Sequence, residues 1–196
     1  MAEEKKTVFY RDRKKWREWL SDHFESEKEI WLVFPLKSSD EEGISYNDAV
    51  EEALCFGWID GRTGTLDDKY LLRRFTPRRK GSSYSQPNIE RLIEMDRQKL
   101  IHPDIRKSIK HIIRKRLVYP DDIIDALRED RQVWKNYRGF SEPYKRIRIA
   151  YIDAARKRPE QFKKRLNNFI KKTRENKLIM GYGGIDKYYR KQGDSK

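Results

Sequence analysis

Five cations fall within eight residues, at Arg73, Arg74, Arg78, Arg79 and Lys80, and hydroxyls follow at Ser82, Ser83 and Ser85. Guanidinium forks match carboxylate and phosphate geometry, and the first turn of a helix favours negative charge. A proline-stiffened loop of this composition, running into a helix marked by Ser85 and Pro87, is therefore a candidate anion site. Trp58, Asp60 and Asn88 complete the ligand set, with Arg74, Arg78, Arg79, Lys80, Ser82 and Ser83 as its polar partners, although Trp58 reads first as a core residue and Asp60 equally as a turn former. Arg73 and Arg74 alternate on a strand, so only one of them can join a given pocket. The competing reading pairs these arginines with Asp60, Asp67 or Asp68 across a hairpin, where exposed ion pairs are common and weak. The expected geometry sets Arg78 or Arg79 beside the N-terminus of the helix that follows Pro87, with Ser82 or Ser83 offering hydroxyls to the same site.

Other chemistries find little support. No phosphate-binding glycine loop, nucleophile elbow or paired-histidine zinc motif occurs, so no residue is assigned a catalytic role and no cofactor is implied. His23, His102 and His111 do not pair at metal-ligand spacing, and Cys55 is the single cysteine, so no metal site is expected. Cys55 sits near the end of a helix rather than its start, which favours an inert buried thiol. Ser82 and Ser83 have no base nearby in sequence, and hydroxyls in such places usually cap turns.

The elements that must hold these residues follow from periodicity. Tyr46, Ala49, Val50, Ala53 and Leu54 mark one buried helical face, capped by Ser45 and ended by Gly57. Trp58 to Gly61 leaves as a strand and Leu71 to Phe75 returns, with Gly61, Gly64, Asp67 and Asp68 as turn residues. Upstream lie a short strand at Thr7–Phe9 and a helix capped by Asp12, with Trp16, Trp19 and Leu20 inward. Glu29 to Lys37 is the most apolar strand, suited to the middle of a sheet. The first region thus reads β-α-β-α-β-β-α. From Pro103 onward strand patterning stops. Helices open at Pro103, Pro120, Ser141 and Pro159, with a short segment at Trp134 and Tyr137 between them.

The fold class is therefore α+β: a small mixed β-sheet with packed helices, followed by a C-terminal helical bundle. The expected division is residues 1–100, a basic helical region at 101–180, and a partly mobile tail at 181–196 whose aromatics dock in part.

Within that frame, ALCFGWIDG at residues 53–61 and RRFTPRRKGSSYSQPN at 73–88 resemble the YdeI/OmpD-associated family, named for bacteriocin protection. The family form carries Trp where Tyr84 stands. The later run from Pro120 to Lys172 is similar to the family's helical C-terminal region. The resemblance implies a resistance and porin association but no established reaction.

Charge points the same way as the loop. Residues 1–100 hold 19 Lys and Arg against 20 Asp and Glu, whereas residues 101–196 hold 27 against 12. The second half carries the whole excess behind the net charge of +14. Such a surface attracts polyanions through phosphate contacts and counterion release, or serves only as a solvated face. The N-terminus is too polar for a signal peptide and no stretch reaches membrane-spanning length, so a cytoplasmic protein without membrane insertion is expected. Three functions follow in order of support. The first is a non-catalytic binding protein for an anionic partner, nucleic acid among them. The second is a stress-resistance factor acting through a protein partner. The third is a small-molecule enzyme or sensor with a pocket near Trp58 and Arg78.

Overall fold

The computed structural model describes residues 6–181 and 185–189. Its first half holds strands β1 (Thr7–Phe9), β2 (Ile30–Pro35), β3 (Trp58–Thr65) and β4 (Tyr70–Pro77). Helices α1 (Arg13–His23), α2 (Tyr46–Cys55), α3 (Gln86–Arg97) and α4 (Pro103–Arg114) alternate with and follow them. The sheet runs β1-β2-β4-β3, with β1 and β2 parallel and the other pairs antiparallel. This is the expected mixed sheet, and the apolar strand β2 is internal to it.

Two compact units divide the chain: residues 1–84 with 91–113, and residues 85–90 with 114–196. In the first unit alternate strand residues explain the layering. Ile30 and Leu32 of β2, Trp58 of β3 and Phe75 of β4 enter one core with Trp16, Leu20, Ala49, Val50, Ala53 and Leu54. The intervening residues Trp31 and Val33 form a smaller cluster with Leu72. Trp16 and Trp58 are fully buried, and each indole N–H is satisfied by a carbonyl, Ala49 O and Phe24 O respectively, at 3.0 Å. Helix α4 sends Ile109 into this same core. The thiol of Cys55 is buried, and burial, with the nearby Glu52 carboxylate, pushes its pKa up to about 12, as suits an inert thiol.

The caps read from sequence are formed. Asp12 accepts from Lys15 N at 2.9 Å and Ser45 accepts from Asp48 N at 3.1 Å. Gly57 follows α2 with φ +74°, and a Cβ built there would lie 2.8 Å from Ile105 Cδ1. Its backbone conformation therefore calls for glycine, and an added Cβ would also require the end of the Ile105 side chain to shift.

The second unit holds α5 (Asp121–Arg128), α6 (Arg131–Gly139), α7 (Glu142–Asp153) and α8 (Pro159–Arg174). No strand occurs between Pro103 and Lys177. The expected short segment at Trp134 and Tyr137 is a full helix, because Asp130 caps it by accepting from Gln132 N and Val133 N at 2.7 and 2.9 Å. Ile123, Leu127, Val133, Tyr144, Ile147, Ile152 and Phe169 build the core. The 3-10 turn Ile185–Tyr188 and the following Tyr189 join it: Ile185 and Tyr189 are buried, and Ser141 Oγ donates to Tyr189 O at 2.9 Å. Docking of part of the tail follows from these contacts. The expectation of mobile final residues falls outside the described residues.

Candidate anion-binding site

Strand β4 ends at Pro77, and the chain is pinned immediately afterwards, where Arg78 N donates to Gly57 O at 2.9 Å. The Arg78 side chain then folds back over its own loop. Its Nη2 donates to Ser82 Oγ at 3.0 Å and to Ser83 O at 2.8 Å. Ser82 Oγ in turn donates to Arg79 O at 2.8 Å. The Arg78 guanidinium carbon stands 3.7 Å from the centre of the Tyr84 ring, and Tyr84 packs against the first core. Gly81 takes φ +76°, which allows the tight turn between Arg79 and Ser82. Arg78 is thus a structural clamp. Its neighbours Arg79 and Lys80 are exposed and, among the described residues, form no ion pair.

Of the hairpin carboxylates, Asp60 pairs with Arg73 across the hairpin, as the competing reading has it, and Asp67 closes the turn. Asp60 accepts from Tyr46 Oη at 2.7 Å and lies 3.6 Å from Arg73 Nη1. Arg73 also donates to Gly61 O at 3.3 Å and stands 4.8 Å over the Tyr46 ring. Burial, then the hydrogen bond to Asp60, pushes the Tyr46 phenol up to about 12. Asp67 accepts from Lys69 N and Tyr70 N at 2.8 and 3.0 Å, closing the turn. Arg74 lies on the other side of its strand and pairs with Glu29, whose pKa the Arg74 hydrogen bond lowers.

The nine sequence candidates therefore separate. Arg78, Arg79, Lys80, Ser82 and Ser83 share one loop. Asp60 belongs with Tyr46 and Arg73 beside a cavity of about 350 Å³ lined by Tyr46, Thr63 and Arg73. Arg74 lies with Glu29. Trp58 is buried and faces no solvent. Asn88 is half-buried in the first turn of α3 and counts with the second unit.

A family model described as Domain of unknown function (DUF8412) matches residues 8–108, just over half of the chain. The chain belongs to this family. A second model, described as Bacteriocin-protection, YdeI or OmpD-Associated, matches residues 116–176. The resemblance read from the sequence thus holds for the helical half, whereas the ALCFGWIDG and RRFTPRRKGSSYSQPN segments lie within the DUF8412 match. No curated protein and no solved structure matches the chain.

Inside the DUF8412 segment, sequence reasoning missed a buried ionic network. Glu51 and Glu52 are almost fully buried, although periodicity alone would leave them on the outer face of α2. Arg13 Nη1 donates to Glu51 at 2.9 Å and Asp48 at 3.1 Å, and its Nε bonds Glu52. Arg17 donates to Glu52 at 2.6 Å. Asn47 bridges Glu51, at 2.7 Å, to the buried Arg91, at 3.0 Å. Burial works against the Arg13 charge, but Glu52, Glu51 and Asp48 outweigh it and hold the guanidinium protonated. Arg13 and Arg17 pair directly with Asp48, Glu51 and Glu52, and Arg91 is tied to Glu51 through Asn47, so the network reads as structural. No group of residues able to hold a metal ion occurs among the described residues.

Proposed function

We propose that this protein binds a phosphate-bearing polyanion, with nucleic acid as the partner, through the loop from Thr76 to Ser85, and performs no reaction on it. One observation carries the reading. Arg78 is spent on Ser82, Ser83 and Tyr84, while the adjacent Arg79 and Lys80 stay exposed without an ion pair among the described residues. The loop is held by Gly57 O at its start and by the Arg78–Tyr84 contact at its end. Two cations presented on an already ordered loop lose little entropy on binding. The excess of basic residues after residue 100 adds long-range attraction.

The alternatives lack such an observation. Exposed large apolar side chains among the described residues are Leu66, Val118 and Met180, too few for an apolar docking face. A pocket built on Trp58 loses its motivation because Trp58 is buried. No described helix is long and apolar enough to cross a membrane, and the reading takes the protein to act in the cytoplasm, where nucleic acid is at hand.

The test is an anisotropy titration of a labelled single strand and a labelled duplex against wild type and an R79A/K80A variant. Affinity should fall steeply with salt, and the variant should reduce the slope of log affinity against log salt by about 2. Its thermal stability should stay within about 0.5 kcal/mol of wild type, as for ordinary surface substitutions. An absence of binding at low salt, or an unchanged slope in the variant, would overturn the reading.

A further inference from the structure

The second unit contains a cavity that the loop does not involve. It has a volume of about 420 Å³ and lies between α7, α8 and the segment running to Gly181. That size suits a small ligand. Its charged lining is cationic, with Arg148 from α7 and Lys164 and Arg165 from α8, beside the neutral polar Tyr151, Gln161 and Asn168. Among the described residues no Asp or Glu lines it. Asp186 accepts from Gly181 N at 2.9 Å but is not part of the wall. The buried Ile152 and Phe169 supply an apolar surface.

Two of the cations are held in place. Arg165 stacks 3.8 Å from the centre of the Tyr151 ring, and its Nη1 donates to Tyr151 O at 2.6 Å. Among the described residues Arg165 and Lys164 form no ion pair. Arg148 is nearly fully buried; its Nη2 donates to Tyr189 Oη at 2.9 Å and to Ile179 O. Positions 161, 164, 165 and 168 recur at helical spacing on one side of α8, and 148, 151 and 152 do so on α7, so both helices turn one face to the cavity. Fixed guanidinium groups beside apolar walls bind an anion more strongly than surface lysines do. They lose little freedom on binding, and the partly dry surroundings strengthen the charge interaction.

We propose that this cavity binds a small organic anion, a phosphate monoester or carboxylate attached to an apolar body, with Arg165 and Lys164 holding the anionic group and Ile152 and Phe169 facing the body. The site is independent of the loop at Arg79 and Lys80.

The experiment uses the full chain and three probes: 1-naphthyl phosphate, 2-naphthoate and uncharged 1-naphthol, each titrated by calorimetry. Either anion should bind saturably at one site, and 1-naphthol should bind at least about tenfold more weakly, as expected when a charge-assisted hydrogen bond is lost. Comparison of the two anions shows whether phosphate or carboxylate is preferred. The R165Q and K164Q variants should each weaken the anions by about tenfold. Lys164 is exposed, so K164Q keeps the test valid even where R165Q loosens the fold. The R79A/K80A variant should bind naphthyl phosphate like wild type, and K164Q should bind the labelled oligonucleotides with nearly wild-type affinity, which separates this site from the loop. The proposal is overturned when neither anion binds saturably, when 1-naphthol binds as tightly as the anions, or when K164Q leaves their affinity unchanged.

Discussion

The guanidinium of Arg78 stands 3.7 Å from the centre of the Tyr84 ring, and this contact closes the loop that presents Arg79 and Lys80. Cations stack on indole more strongly than on phenol. A Y84W variant should therefore hold the loop at least as firmly. A Y84L variant should lose about 0.5–1 kcal/mol of the contact. A double-mutant cycle of Y84L with R78A, read by chemical denaturation, isolates the pair. A coupling energy indistinguishable from zero would show that the contact does not order the loop.

The Arg13–Glu52 pair should dominate the stability of the first unit. An E52Q substitution leaves Arg13 and Arg17 facing a neutral partner at a site where Glu52 itself is almost fully buried. Breaking a buried pair costs about 3–5 kcal/mol, and the value here should fall toward about 2–3 because the arginine side chains remain about one-third exposed. Urea denaturation of E52Q measures it. A change below about 0.5 kcal/mol would mean that the network contributes nothing net.

Gly57 should tolerate no side chain. Its φ of +74° disfavours an L-residue by about 1–2 kcal/mol, and the added methyl would press on Ile105 Cδ1 at 2.8 Å. G57A should lower the melting temperature clearly, and combining it with I105V should restore part of the loss by relieving the steric contact. Restoration of the full loss would mean that the positive φ carries no cost.

Alkaline pH should unfold the protein. Burial, as the largest cause in each case, pushes the phenols of Tyr46, Tyr119 and Tyr189 up to about 12, from an ordinary value of 10.0. A pKa raised in the folded state means that the unfolded chain deprotonates first. The stabilisation is therefore complete below pH 10 and is lost as pH rises from about 10 to about 12. Tyrosinate absorbance and circular dichroism followed together should show ionisation coinciding with loss of structure. Full ionisation of these tyrosines in a still-folded protein would contradict it.

Much of the fold was legible because it is set by local rules. Apolar residues at period two and period 3.6, Ser45 and Asp12 as caps, and Gly57 as a stop each act within one turn or one strand. The mixed sheet and the strand-free stretch after Pro103 follow from them. The cationic loop was also legible, since Arg78, Arg79, Lys80 and Ser82 are near neighbours in sequence.

What each charge does was decided only in three dimensions. Adjacent strand residues point to opposite faces, so which of Arg73 and Arg74 meets Asp60 depends on pairing register and on the bulge between Asp60 and Thr63. Glu51 and Glu52 resemble solvent-facing residues until α1 brings Arg13 and Arg17 against them. The cationic cavity has the same origin: Arg148 and Arg165 stand on successive helices, and only the packing of α7 on α8 makes them walls of one space. The sequence alone determined which residues carry charge and which segments are helix or strand, because those properties are local. Tertiary structure decided which charges are neutralised and which remain available, because ion pairing depends on distances between residues remote in sequence.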